Sequence, residues 1–420
     1  MIWNVLIFIV GLVVYAGYGW AGLAYLAAAI LVSYGAGLLT KKAKWVMWVA
    51  VALNAAMLTL LKLQSHLGLS LVAPLGVSYF TLQIIAYNVD VYKGKYEPER
   101  NLFRFALFVT YLPHLFIGPI ERYDSMAPAL FENRKMSWEN FCAGAARALW
   151  GLFKKLVIAS RAGMIISSIS ADPEAFRGAY ALAAMLLYSV QLYADFSGGI
   201  DSVLGISQML GVRMSENFDV PYLSQSFQEF WRRWHMTLGS WLRNYVYIPL
   251  GGNRKGKVRK VINLIITFLV SGLWHGTQYI LWGLFNGIFV AFGTKLQTKW
   301  KTLNRIGTVL LISFLWAFFV WPDMGTALKM TISVFTTFNY GQFFAALGSF
   351  GLTVGDWIVL AVSMGMLVGY DVKKQPLGAW FAKRTPAAKM AIICLLAMVV
   401  LVFGMYGIGF NAESFIYSKF

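Results

Sequence analysis

Two histidines stand where a side chain could act as an acid or a base inside a membrane. His275 follows the apolar run 261–273 and lies between Gly272 and Gly276. A histidine at membrane depth is costly to bury and is by default a candidate for function. Because glycine has no side chain, the flanking glycines predict space in which a bulky substrate approaches the imidazole. The alternative is a structural histidine that bonds a neighbouring helix.

The second histidine, His235, lies in the aromatic and basic block 227–245. Residues at helical spacing form one face of this block, which predicts a single amphipathic helix. That face contains Phe230, Trp234, Thr237 and Trp241. Such a helix either lies in the headgroup layer, anchored by Trp and Arg, or lines a site. The stretch 247–254 follows with Pro and Gly residues, and it predicts irregular backbone that protein or water must cover.

Ionisable residues concentrate in the middle third of the chain, between segments too apolar for a soluble domain. Asp195 and Asp201 are expected to orient a polar network or to pair with Arg232 or Arg233. Ser197 is a candidate nucleophile, but neither a G-x-S-x-G elbow nor a nearby histidine accompanies it in the sequence.

The other histidines and the cysteines carry weaker signals. His66 lies in a loop with Gly and Ser and is expected at the surface. His114 lies beside a proline and is expected to have a lining or packing role rather than a catalytic one. Cys142 and Cys394 have no paired spacing, which gives no support to a disulfide framework or a metal site. Nucleotide-binding and metalloprotease motifs do not occur. We therefore expect no metal, no bound cofactor and no nucleic-acid partner.

The elements that position these residues are expected to be membrane helices. The chain has 420 residues, of which 59% are hydrophobic and 13% are charged, whereas roughly one quarter is charged in soluble domains. Several apolar runs approach the roughly 20 residues that span a bilayer. We predict an all-α polytopic membrane protein with about ten to twelve membrane-embedded helices, some of them re-entrant or interfacial. Without an internal repeat or a soluble segment, residues 1–420 are expected to form a single membrane-embedded domain.

The N-terminal region predicts a helical hairpin over residues 1–40. The first Lys is Lys41, so the preceding residues would make about 60 Å of helix, twice the hydrocarbon thickness. Two crossings fit this length better than one. The turn is expected at residues 17–20, where two glycines alternate with Tyr18 and Trp20.

The positive charge lies in short loops. Lys and Arg number 36 against 18 Asp and Glu. The basic loops are Lys41–Lys44, Lys154–Lys155, Arg254–Lys260, Lys295–Arg305 and Lys373–Arg384. Such loops are expected to face the cytoplasm. They serve either as topology signals beside anionic lipid or, in part, as a receiving surface for an anionic cytosolic donor.

Several motifs occur in an order that resembles the membrane-bound O-acyltransferase family. Trp231-Arg-Arg-Trp-His235-Met-Thr-Leu is followed by Tyr245-Val-Tyr-Ile-Pro-Leu-Gly-Gly-Asn-Arg254, and Gly272-Leu-Trp-His275-Gly comes 40 residues after the first histidine. Further matches lie at 74–83, 90–92, 113–120, 195–198 and 216–222. The chain is most similar to the bacterial branch of alginate and peptidoglycan O-acetyltransferases, and next to the D-alanyl transfer protein of teichoic acid modification. Residues 303–420 match loosely, apart from the Phe-Ile-Tyr ending at 415–417.

The resemblance implies that helices surround a buried tunnel and that residues 191–290 hold the catalytic core motifs. It makes His275 the catalytic histidine and places His235, also expected to be catalytic, in a second histidine motif. The residues expected along the tunnel or at the donor are Asp195, Ser197, Trp231, Arg232, Arg233, Trp234, Arg243, Asn253, Arg254, Trp274 and Asn286. Asn244 stands where the acetyltransferases usually have Asp, so no carboxylate is available at that position.

The resemblance also implies a reaction. An acyl group, acetyl in the first place, would move from cytosolic acetyl-CoA or an acyl carrier protein across the membrane. The acceptor would be a hydroxyl of an extracytoplasmic polysaccharide or of an acetyltransferase-like partner protein. The implied location is the inner (plasma) membrane of a bacterial cell, where a multi-pass chain contacts the lipid bilayer. The alternatives are D-alanyl transfer, a polytopic transporter or flippase, and a scaffold that recruits a partner enzyme.

Overall fold

The computed structural model describes residues 2–64, 67–131, 136–293, 297–373, 381 and 383–406. These residues form helices and loops, and within the described ranges there is no strand; an isolated bridge pairs Phe218 with Trp234. The prediction of an all-α protein is confirmed. The expectations for His66 and for the ending 415–417 concern residues outside the described ranges.

The helices of the described residues are joined by turns and loops of different lengths. In chain order they are α1 (Ile2–Gly17), α2 (Trp20–Leu39), α3 (Lys44–Leu63), α4 (Val77–Tyr92), α5 (Leu102–Thr110), α6 (Leu112–Phe116), α7 (Tyr123–Phe131), α8 (Trp138–Phe153), α9 (Ser160–Ala171), α10 (Ala179–Met209), α11 (Phe227–Arg233), α12 (Met236–Leu242), α13 (Gly256–His275), α14 (Ile280–Phe292), α15 (Lys301–Leu315), α16 (Ala317–Val320), α17 (Met324–Thr336), α18 (Tyr340–Ala345), α19 (Val354–Lys373) and α20 (Pro386–Phe403). Two π-helical turns, Lys154–Ala159 and Arg243–Tyr247, follow α8 and α12.

The chain divides into two compact units. The first contains Met1–Gly144 and Val203–Glu216, and the second contains Ala145–Ser202 and Asn217–Phe420. Helices α8 and α10 therefore supply residues to both units. His235 and His275 lie in the second unit.

Within the described ranges, six helical segments are long and apolar enough to cross a bilayer. They are Trp20–Leu39, Lys44–Leu63, Gly256–His275, Lys301–Val320, Val354–Lys373 and Pro386–Phe403. Their 18 to 20 residues reach about 27 to 30 Å, which matches the hydrocarbon core. The protein is therefore a polytopic membrane protein. The expected total of about ten to twelve embedded segments would require shorter helices to enter the membrane as well, and it stays a prediction.

The first two helices pack against each other in the first unit. α1 ends at Gly17 and α2 begins at Trp20. Between them Gly19 has a φ of 126°, a conformation that strains any residue with a side chain. Gly19 therefore allows the chain to reverse between the two helices.

In the second unit, α8 and α10 cross at two glycines. A Cβ added at Gly151 would lie 2.4 Å from the carbonyl oxygen of Gly198, and one added at Gly198 would lie 2.6 Å from that of Gly151. No carbon atom fits at these distances without a shift of the backbone. The two helices therefore meet backbone to backbone, as small residues allow in membrane proteins.

This crossing brings basic residues of α8 and of the π-helical turn after it against carboxylates on α10. Arg147 donates to Asp201 from Nε at 2.9 Å and from Nη2 at 2.8 Å. Lys154 Nζ lies 2.7 Å from Asp201, and Lys155 pairs with Asp195. Asp195 is buried and Asp201 is partly buried, and both are tolerated there because each has a cationic hydrogen-bond donor.

Of the two alternatives for Asp195 and Asp201, a polar network is found, and pairing with Arg232 or Arg233 is wrong. Arg232 is exposed, and Arg233 forms an ion pair with Glu229, four residues earlier in α11, at 2.6 Å. The physical reason is local geometry. The glycine crossing offers the α10 carboxylates basic partners on α8 and on the π-helical turn after it, while α11 satisfies its own arginine at i, i+4 spacing.

We predict that Gly151→Ala destabilises the protein, because the new methyl group must push the α10 backbone away. The expected loss is about 1 to 3 kcal/mol in the free energy of unfolding. Gly365→Ala is the matched control, because its Cβ meets nothing within 4 Å and should be neutral or stabilising by up to about 1 kcal/mol. Thermal unfolding in detergent measures both. Equal melting temperatures would contradict the close crossing.

Candidate active site

His235 occupies a break between two short helices. α11 ends at Arg233 and α12 begins at Met236. His235 itself has a φ of 45°, in the left-handed region that residues other than glycine seldom adopt. The single amphipathic helix expected over 227–245 is therefore wrong. Strained conformations of this kind persist where the surrounding structure fixes them, often at functional sites.

The segment Asn217–Asp219 provides that constraint. Phe218 forms a backbone bridge with Trp234. On either side of it, the Met236 N–H donates to the Asn217 carbonyl at 3.0 Å, and the Asp219 N–H donates to the Arg233 carbonyl at 3.0 Å. These hydrogen bonds take the place of some of the backbone hydrogen bonds between residues i and i+4 that a continuous helix would have. They hold α11 and α12 apart at His235.

The side chain of Asn217 completes this clamp. Its Oδ1 accepts from the backbone N–H of Thr237 at 3.1 Å and from the Thr237 hydroxyl at 2.9 Å. The same oxygen lies 3.2 Å from Nδ1 of His235. Asn217 and His235 are both buried. Asn217 thus acts as a cap for the first turn of α12 and as the contact that orients the His235 ring.

His275 is the last residue of α13, which packs tightly on α14. A Cβ at Gly272 would lie 2.6 Å from the carbonyl oxygen of Tyr279, and a Cβ at Gly283 would lie 2.5 Å from that of Phe268. Gly272 therefore permits close helix contact rather than substrate access. The expectation of open space is wrong at this glycine.

Gly276 turns the chain after His275. Its φ of 149° lies outside the range that side chains readily adopt, and a Cβ there would lie 2.7 Å from the side chain of Gln278. Because that neighbour is the end of an exposed side chain, open space at Gly276 stays a prediction. The glycine ends α13 directly after His275, so the imidazole stands at a helix terminus.

Aromatic rings surround His275, which is 8% exposed. The distances between its ring centroid and those of Trp274, Trp282, Phe319 and Tyr279 are 4.7, 5.5, 5.7 and 6.2 Å. All four contacts are edge to face. The imidazole is therefore held in an apolar cage that excludes most water.

Both histidines face one small cavity in the second unit. Its lining residues are Leu192, Trp231, Trp234, His235, Leu238, Ser271, His275, Trp282, Trp316 and Phe319. The cavity leaves about 20 Å³ for the centres of water-sized groups, which is room for about one water molecule. The lining is apolar except for the two imidazoles, one hydroxyl and the indole N–H groups.

Polar residues behind the wall fix the indoles. Trp231 Nε1 donates to Asn286 Oδ1 at 3.1 Å, and Trp316 Nε1 donates to the Tyr222 hydroxyl at 3.2 Å. Trp316 also stacks on Trp282 at a centroid distance of 6.0 Å. These bonds set the shape of the cavity, because they hold the wide indole rings in one orientation.

The structure brings together some of the residues singled out in the sequence. Trp231, Trp234, His235 and His275 line the cavity. Behind the cavity, Trp274 contacts both imidazoles. The distance between ring centroids is 6.3 Å to His235 and 4.7 Å to His275. Asn286 supports the wall through Trp231.

Other predicted residues lie away from the cavity lining. The Ser197 hydroxyl accepts from Lys154 at 2.8 Å, within the ion cluster that includes Asp195. Exposed or partly exposed positions elsewhere are occupied by Arg232, Arg233, Arg243, Asn253 and Arg254. Among the described residues, no group of three or more His, Cys, Asp or Glu side chains could hold a metal ion.

Sequence reasoning missed several members of the site. They are Leu192, Asn217, Leu238, Ser271, Trp282, Trp316 and Phe319. Trp282 and Trp316 occur in apolar runs, where tryptophan is typical of packing. Asn217 belonged to a matched motif but carried no chemical signal, because its partner is 18 residues away.

Comparison with known proteins gives consistent matches. A probable alginate O-acetylase AlgI of Pseudomonas syringae is 38% identical over 328 residues, which are 76% of this chain and 60% of that protein. A peptidoglycan O-acetyltransferase of Helicobacter pylori is 34% identical over 298 residues, 62% of this chain and 56% of that protein. A teichoic acid D-alanyltransferase of Streptococcus thermophilus is 29% identical over 279 residues, 62% of this chain and 67% of that protein. The chain therefore spans about three fifths of the length of the first two relatives.

The family model of MBOAT, the membrane-bound O-acyltransferase family, matches residues 98–337. This range is more than half of the 420 residues and includes both cavity histidines, their clamp and the indole wall. The described residues also include six apolar helices of spanning length. The chain belongs to the membrane-bound O-acyltransferase family.

Proposed function

We propose that the chain is an O-acyltransferase that moves a short acyl group, acetyl in the first place, from a thioester to a hydroxyl. The observation that carries this proposal is the cavity in which His235 and His275 face one apolar space between indoles. The names of the relatives, alginate O-acetylase and peptidoglycan O-acetyltransferase, support the same reaction class.

The chemistry is a direct acyl transfer with His275 as the general base. The imidazole takes the proton of the acceptor hydroxyl while the hydroxyl oxygen forms a bond to the thioester carbonyl carbon. The carbon–sulfur bond then breaks, and the leaving sulfur takes the proton from His275. No net proton is gained or lost. The aromatic cage supports this role, because it keeps out water that would otherwise hydrolyse the thioester.

The polarity of the cavity favours acetyl over D-alanyl. D-alanyl adds an ammonium group, and no acidic residue is among the described residues that line the cavity. That cation would therefore lose its water without a carboxylate in return.

The donor and the acceptor are proposed to approach from opposite sides. The loop expected at Arg254–Lys260 is instead a basic segment that continues into α13, which begins at Gly256. Its five basic side chains are all exposed: Arg254, Lys255, Lys257, Arg259 and Lys260. Basic segments at the ends of membrane helices stay in the cytoplasm, where acetyl-CoA phosphates or an acidic acyl carrier protein would be attracted to them. The acceptor would be an extracytoplasmic polysaccharide or an acetyltransferase-like partner protein, and the location the inner membrane of a bacterial cell.

We predict that His275→Gln lowers acyl transfer by roughly 10² to 10⁴-fold, because the amide cannot act as a base. The glutamine keeps most of the volume inside the aromatic cage, so the melting temperature should stay near that of the wild type. A reconstituted transfer assay and detergent melting curves measure the two effects. His114→Gln is the control, since His114 is also buried but does not line the cavity. Wild-type turnover in a folded His275→Gln protein would refute the assignment.

A second prediction concerns acyl length. Trp316→Ala should enlarge the cavity, so the kcat/KM ratio for a butyryl donor over an acetyl donor rises by roughly tenfold or more. Trp321→Ala removes an equally buried indole that does not line the cavity, and it should leave this ratio unchanged. If both variants change the ratio alike, the indole wall does not select the acyl group.

A third prediction tests the donor side. Replacing Arg254, Lys257 and Lys260 by Gln should raise the apparent donor KM about tenfold at low salt and leave the acceptor KM unchanged. The effect should shrink near 0.15 M salt, where the Debye length is about 8 Å. The control replaces Lys299, Lys301 and Arg305, which are also exposed. A donor KM that rises equally in both triple variants would mean that the basic segment 254–260 is a topology signal alone.

A further inference from the structure

The hydrogen bonds of Asn217 determine which atom of its amide faces His235. An amide oxygen and an amide nitrogen are distinguished by their partners. A backbone N–H can only donate, and the Thr237 N–H points at the Asn217 atom that lies 3.1 Å away. That atom is therefore the oxygen, and it is the same atom that lies 3.2 Å from His235 Nδ1.

This contact fixes the tautomer of His235. Because the amide oxygen only accepts, Nδ1 of His235 must carry the proton that it shares with Asn217. In a neutral imidazole the other nitrogen, Nε2, then has a lone pair and no proton. Nε2 is buried and has no hydrogen-bond partner among the described residues. Since the ring lines the cavity, a buried acceptor is available there for a ligand.

We propose that Asn217 is a positioning residue that keeps His235 in the Nδ1–H tautomer, and that Nε2 accepts a hydrogen bond from a second hydroxyl of the acceptor. This inference rests on the proposed acyl transfer. The reacting hydroxyl has one proton, which goes to His275, so in this proposal the proton that His235 accepts belongs to a second hydroxyl of the same acceptor. Of the two proposed acceptors, this selects a polyhydroxyl compound, such as a sugar with neighbouring hydroxyls, over a single hydroxyl of a partner protein.

The rest of the clamp supports a role in orientation. His235 is held in its left-handed conformation with a φ of 45°, and Phe196 packs edge-on against its ring at 4.9 Å. The ring is therefore fixed by backbone, by the Asn217 amide and by an aromatic neighbour. A buried acceptor fixed in this way rejects ligands that cannot donate to it, because it would remain unsatisfied.

Nitrogen NMR of the full-length protein with ¹⁵N-labelled histidine tests the tautomer without any variant. The chain has 4 histidines, and His235→Phe identifies the signal of His235. We expect a protonated Nδ1 and a bare Nε2 in the wild type. A proton on Nε2 would overturn the proposal, whether or not the protein transfers acyl groups.

Kinetics test the acceptor class. Transfer from acetyl-CoA to a vicinal diol is compared with transfer to the mono-alcohol of matched size. The wild type should prefer the diol by roughly fivefold to tenfold in kcat/KM, and Asn217→Leu should lose this preference while the donor KM is unchanged. Thr237→Val is the matched control, since it removes the other side-chain bond to Asn217 Oδ1 and should keep both the tautomer and the preference.

The outcomes separate the two proposals. A wild type that holds the Nδ1–H tautomer and transfers acetyl without preferring the diol would overturn the polyol subsite and leave the acyltransferase assignment intact. Equal loss of preference in Asn217→Leu and Thr237→Val would assign Asn217 a structural role alone. A wild type that transfers no acyl group from any thioester would refute the proposed function, and the polyol subsite with it.

Discussion

The clamp between Asn217–Asp219 and the junction of α11 with α12 is the constraint on which the site depends. Left to its own pattern, the block 227–245 would form one helix, and His235 would lie on a regular helical face. The backbone bonds to residues 217–219 instead hold His235 at a φ of 45°. The break directs the imidazole towards the cavity, and the Asn217 amide fixes how the ring presents its nitrogens.

The second requirement is a dry space around His275, and close helix packing provides it. Gly272 and Gly283 allow α13 and α14 to approach until backbone nearly meets backbone. Trp282 and Phe319 then close over the imidazole. Because water is largely excluded here, a polar group must form its hydrogen bonds with the protein or with a ligand.

The ion cluster on α10 follows the same rule, because its charged groups are paired with one another within the protein. Its carboxylates are neutralised by Arg147, Lys154 and Lys155 next to the glycine crossing of α8 and α10. α10 also carries Leu192, which lines the cavity, and Phe196, which packs on His235. A partly buried and fully paired cluster therefore anchors the helix that supports one wall of the site.

Much of this architecture could be predicted from the sequence, and the failures have physical reasons. The apolar runs predicted an all-α membrane protein because hydropathy alone determines which segments enter lipid. His275 and His235 were recognisable because histidines are costly in such segments. The break at His235 was not predictable from helical periodicity, since the competing bonds come from residues 217–219.

The errors at the glycines and carboxylates have a common cause. A glycine beside a histidine, such as Gly272, predicts open space, but a missing side chain equally permits a neighbouring backbone to approach. The partners of Asp195 and Asp201 depend on how α8 crosses α10, which no local pattern contains. Trp282 and Trp316 were missed because a tryptophan that lines a cavity and one that packs in a core have the same sequence context.

The central claim is that acyl transfer takes place between the two imidazoles and the indole wall. An experimental structure with a ketone analogue of the acetyl thioester, in which a methylene replaces the sulfur, tests it most directly. The measured quantity is the position of the analogue's carbonyl carbon. We expect its methyl group against Trp231, Trp282 or Trp316, and the carbonyl carbon within about 5 Å of the His275 imidazole, which leaves a hydroxyl oxygen roughly 3 to 3.5 Å from each. An analogue whose acyl group binds outside this cavity, with the cavity unchanged, would contradict the account.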